Sequence, residues 1–76
     1  MSEQGWSRYE EVDEAVQEIR ETMEGEGSLT REIVTKYQRR MAGSSHSLIN
    51  YFYNRLEMES PGALIFFLDG YLHEKY

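Results

Sequence analysis

Apolar residues recur at helical spacing along most of the chain, and turn residues interrupt them at only a few places. Tyr9, Val12, Val16, Ile19 and Met23 alternate intervals of three and four, a narrow seam suited to a helix lying along another helix or along its own copy. Leu29, Ile33, Tyr37 and Met41 then recur every four residues, with Val34 widening the stripe, and Leu48, Ile49, Phe52 and Leu56 form a third set. Three amphipathic helices follow from these patterns. Ser7 and Glu10 stand at capping-box spacing before the first, with Trp6 free to fold back as an apolar anchor at its entry. Gly25-Glu26-Gly27 breaks the chain, Ser28 offers an N-cap for the second helix, and Gly43 is expected to end it in the left-handed conformation that glycine adopts without penalty. Ser44 or Ser45 can cap the third.

The last stretch, 63–76, supports two readings. As a helix it has Ser60 as N-cap and Pro61 at the first helical position, and Leu64, Phe67, Leu68, Tyr71, Leu72 and Tyr76 fall on one side. As a hairpin it has Asp69-Gly70, a favoured tight-turn pair, between two segments of strand propensity. The helix is preferred because its stripe is continuous and its cap correctly placed, although Gly70 within it costs about 1 kcal/mol relative to alanine. The expected fold is therefore an all-α bundle of three to four helices, with a tail at residues 1–6 and a single domain at 7–76. The alternative is a winged helix with a C-terminal β-hairpin.

Composition narrows this. With 76 residues and no cysteine, the domain is near the lower size limit for a core without staples, so a homodimer stays open. No apolar run approaches the roughly 18 residues that span a bilayer, and the polar start is unlike a signal peptide, so the cytoplasm is the expected location. The net charge of −6 conceals an uneven distribution: residues 1–28 carry −7, residues 29–56 carry +4, and residues 57–76 carry −3. The central cations, Arg31, Lys36, Arg39, Arg40 and Arg55, can attract phosphate, an acidic protein surface, or the chain's own first helix. That helix is acidic outside its seam, and Glu10, Glu14 and Glu18 repel at successive i,i+4 positions.

The segment from Ala42 to Glu57, with Ala42-Gly43-Ser44-Ser45 followed by Ile49, Tyr51, Phe52 and Glu57, resembles the turn and recognition helix of TetR-type repressors, and Arg31-Glu32-Ile33 resembles the start of the preceding helix. It departs from them in the eight residues between Ile33 and Ala42, several more than that motif's short helix allows. The resemblance covers about a third of the chain and implies a DNA-binding regulator. In that case His46, Ser47, Asn50 and Asn54 would read base edges, while Lys36, Arg39, Arg40 and Arg55 would contact phosphates.

Catalytic chemistry has little support. The chain has two histidines, no cysteine and no glycine-rich phosphate loop. Asp69 and His73 make only two neighbouring ligands where a metal needs three or four, and Ser45-His46-Ser47 lacks the separated, converging groups of a triad. No cofactor is implied. The expectation is a non-enzymatic protein-binding module, a small regulator or inhibitor, whose partner-binding residues are Arg39, Arg40, Tyr51, Tyr53, Arg55 and Met58.

Overall fold

Val12, Ala15, Val16 and Ile19 sit on one side of an 18-residue helix, and all four are buried. The computed structural model describes residues 5–67. They form α1 (Tyr9–Glu26), α2 (Arg31–Ala42), α3 (His46–Glu59) and the start of α4, helical over residues 63–67. The all-α expectation holds. No strand occurs among the described residues, and the Asp69-Gly70 turn of the winged-helix alternative lies outside them.

The core centres on Phe52 of α3, which is fully buried. Trp6 lies 5.0 Å from its ring and Phe67 of α4 lies edge-on at 5.4 Å, so the N-terminal segment and the last described helix meet on one side chain. Burying such a ring contributes roughly 1.5–3 kcal/mol, and the aromatic contacts add to it. α1 packs chiefly along α3. α2 contributes Tyr37, whose ring stacks on Trp6 at 6.4 Å.

The helix ends differ in detail from expectation. The Glu11 carboxylate, rather than that of Glu10, closes the start of α1: its Oε1 accepts from the Ser7 and Arg8 amides at 2.8 and 3.0 Å and from the Ser7 hydroxyl at 3.0 Å. Gly27 ends α1 with φ 81° while its N–H donates to Met23. α2 begins three residues after Ser28, capped by Thr30, because Leu29 must first enter the core. Gly43 has φ −97°, so it ends α2 without the left-handed conformation. Ser45 caps α3, and Ser44 is used otherwise: its hydroxyl donates to the Arg40 carbonyl and accepts from the Trp6 amide at 2.8 Å. Ser60 closes α3 instead of opening α4, since Gly62 at φ 95° cannot belong to a helix that starts at Pro61.

Gly5 and Trp6, placed by the sequence in the leading tail, cross directly over the α2–α3 turn. A methyl group on Gly5 would overlap the Gly43 carbonyl and the Ser44 nitrogen, so only glycine allows this approach. Just beyond the crossing, Trp6 drops into the core, 4% exposed.

Candidate interaction surface

The expected partner-binding residues do not converge on one patch. Tyr51 and Arg55 stand one turn apart on α3, and both reach across to Asp13 of α1. The Tyr51 hydroxyl donates to Asp13 Oδ1 at 2.8 Å, and Arg55 Nε lies 3.3 Å from the same oxygen, an ionic contact without hydrogen-bond alignment. Arg55 also pairs with Glu59 at 3.3 Å. Tyr9, half exposed, meets the Tyr51 ring edge-on at 4.7 Å. Met58, one turn further along the same face, is 75% exposed. Hydrogen bonding to Asp13, with some desolvation and the nearby carboxylate charge, pushes the Tyr51 hydroxyl above its ordinary pKa, so it stays a donor. The seam between α1 and α3 thus holds one anchored tyrosine with a second ring against its edge, a guanidinium paired to Asp13 and Glu59, and an exposed thioether. The sequence places Tyr9 in the apolar seam, and its position one turn before Asp13 is the local signal for this second role.

The other expected residues lie elsewhere. Tyr53 is half-buried, its ring 6.0 Å from Phe52 on the side away from Tyr51. Arg39 is exposed on the outer side of α2, whereas Arg40 turns toward α1 and pairs with Glu11 at 3.3 Å. Among the nucleic-acid candidates, His46, Ser47, Asn50 and Asn54 are all exposed along the outer face of α3. Their expected companions are engaged: Lys36 pairs with Glu18 at 3.3 Å, Arg40 with Glu11, and Arg55 with Asp13. Of the five central cations, three therefore meet the acidic first helix, while Arg31 and Arg39 form no ion pair among the described residues. Each such half-exposed pair is worth at most about 1 kcal/mol.

Between α1 and α2 runs an open cleft of about 390 Å³. Glu11, Glu14 and Glu18 form one wall, Lys36 and Arg40 the other, and Trp6, Ala15 and Tyr37 the floor. The Tyr37 hydroxyl donates to Glu18 Oε1 at 2.8 Å; burial first, then that bond and the carboxylate's charge, raise its pKa strongly. Glu11 is lowered, chiefly by the Ser7 amide and hydroxyl, then by the Arg8 amide and the charge of Arg40. The acids stand at i, i+3 and i+7 on α1 and the bases at i, i+4 on α2, but which faces meet is a tertiary fact.

Among the described residues no group of three or more His, Asp or Glu can hold a metal, and no helix is long and apolar enough to cross a membrane. Asp69 and His73 lie outside those residues. The chain matches no family model, no curated protein and no solved structure. α2, with 12 residues, keeps the length by which the sequence departs from TetR-type repressors.

Proposed function

We propose that the chain is a non-enzymatic interaction module, a small regulator or inhibitor that binds a partner protein through the α1–α3 seam. The observation that carries this is the shared anchorage of Tyr51 and Arg55 on Asp13, beside the exposed Met58 and Tyr9. Tyrosine and arginine dominate binding energy where they pack well, and holding them in place before contact reduces the entropy lost on association. Methionine supplies an adaptable apolar contact next to them. Arg39 is a peripheral cation in this arrangement, and Arg40 and Tyr53 serve the fold.

The test is affinity capture from the native host, with the wild-type chain compared against the Tyr51→Ala/Arg55→Ala double variant, eluates being analysed for protein and nucleic acid. Helicity is expected to survive while the partner is lost. Undiminished capture by the double variant refutes the surface. The exposed polar arc of His46, Ser47, Asn50 and Asn54 favours a second reading, a helix-turn-helix DNA-binding regulator. In it Lys36, Arg40 and Arg55 exchange α1 carboxylates for phosphates, which makes the affinity steeply salt-dependent. Failure to bind mixed-sequence duplexes at low salt removes it.

A further inference from the structure

We propose that Met58 is a site of reversible oxidation that switches the α1–α3 seam off, with hydrogen peroxide as the oxidant. The chain has four methionines and no cysteine, so no thiol competes for peroxide and thioethers are its only sulfur groups. The three methionines that the structure describes differ sharply. Met23 and Met41 are partly buried and packed against the core, whereas Met58 is 75% exposed, more than any other large apolar side chain among the described residues. Peroxide must reach sulfur from solvent, so exposure sets the order in which the three react.

The step is an oxygen-atom transfer. A sulfur lone pair attacks one peroxide oxygen, an S–O bond forms as the O–O bond breaks, and the proton on the transferred oxygen passes to the departing one, which leaves as water. Sulfur loses two electrons and peroxide gains them. The product replaces an apolar, adaptable side chain by a polar one with a strong hydrogen-bond acceptor. Its place decides the consequence. Met58 stands one turn beyond Arg55, whose guanidinium is held by Asp13 and Glu59, on the face that carries Tyr51. A sulfoxide there leaves the fold intact, since the side chain lies outside the core. It does put a polar group where the seam offers a partner its apolar contact, and burying that group unpaired weakens binding. The inference rests on the seam being the binding surface.

The experiment treats the full chain with a peroxide series, removes peroxide with catalase, and maps sulfoxide by mass spectrometry. Oxidation of Met58 is expected at doses that leave Met23 and Met41 reduced, with helicity unchanged by circular dichroism and with methionine sulfoxide reductases restoring the thioether. Oxidation of Met23 or Met41 at a comparable rate, or helicity lost in step with Met58 oxidation, overturns the proposal. The binding probe is the host protein that the reduced wild-type chain retains and Tyr51→Ala/Arg55→Ala loses, identified by mass spectrometry. Its affinity is expected to fall about tenfold or more on oxidation of Met58 and to recover with reductase. Met58→Leu, whatever its starting affinity, is expected to lose none of it to peroxide. Unchanged affinity after oxidation, or an equal loss in Met58→Leu, overturns the switch and leaves the seam standing. If the double variant loses no host protein, the seam fails and the switch with it.

Discussion

Replacing Gly5 by alanine tests whether the N-terminal strap is part of the fold or merely rests on it. The added methyl group would collide with the Gly43 carbonyl and the Ser44 nitrogen, which are backbone atoms at a turn held by hydrogen bonds to α2 and cannot rotate aside. Overpacking of this kind costs typically about 1–3 kcal/mol. If the strap lifts to avoid it, the Trp6 amide loses its 2.8 Å bond to Ser44, and Trp6 loses part of its contact with Phe52 and Tyr37. The hydrogen bond adds about 1 kcal/mol, while complete loss of a buried tryptophan, about 3–5 kcal/mol, sets the ceiling. A loss of roughly 2–4 kcal/mol is expected, a large share of the roughly 5–15 kcal/mol that holds a domain folded. In a domain of this size each kcal/mol moves Tm by about 4–8 °C. Urea unfolding followed by far-ultraviolet circular dichroism measures it, with Trp6→Ala as the reference. Since both substitutions disable the same strap, Gly5→Ala made in the Trp6→Ala background should cost far less than in the wild type. A stability within about 0.5 kcal/mol of wild type, or full additivity of the two changes, refutes the reasoning.

Two titrations and one core substitution extend the argument. The folded pKa of Tyr37 lies above its unfolded value, so its contribution is complete below about pH 10 and is lost as pH rises beyond it. Stability should fall on the alkaline side, and Tyr37→Phe should flatten that limb in pH-dependent urea melts. Glu11 is shifted the other way: its contribution is complete above the ordinary carboxylate range and disappears as pH falls through its lowered folded value. Glu11→Gln should remove that part of the acid limb, measured by the same melts. Phe52→Ala should cost about 3–5 kcal/mol, enough to unfold much of the chain at 37 °C by circular dichroism; retention of a cooperative transition near the wild-type Tm counts against Phe52 as the centre of the core.

Much of this fold is legible in the sequence because helical periodicity is a local property. The stripes through Val12, Val16 and Ile19, through Leu29 and Tyr37, and through Leu48, Phe52 and Leu56 are the buried ones, and Trp6 is the anchor its position suggested. What escaped depends on which surfaces meet. A glycine at position 5 reads as tail composition until Gly43 lies against it. Ser28 and Ser44 read as caps because serine often caps, yet burial of Leu29 and the hydrogen bond from Trp6 placed those roles on Thr30 and Ser45. The cleft needed the pairing of α1 with α2, which no single helix encodes.

Charge shows the same dependence on pairing and bears most directly on function. Along the chain the central segment stands out as basic, but folding sets Lys36, Arg40 and Arg55 against Glu18, Glu11 and Asp13. Arg31 and Arg39 of the central set stay exposed and unpaired, outnumbered by an acidic set on α1: Glu10, Glu14, Glu21 and Glu24, all exposed and none in an ion pair among the described residues. An approaching partner meets that outer field before it meets any paired guanidinium, and at physiological ionic strength the field extends about 8 Å. Duplex DNA would have to displace three internal pairs against this repulsion, whereas a basic polypeptide would be drawn in by it. If the α1–α3 seam binds a protein partner as proposed and that partner is basic, raising salt should slow association while leaving dissociation nearly unchanged, because the outer acids would steer the encounter and the Tyr9 and Tyr51 contacts, desolvated on binding, would hold the complex.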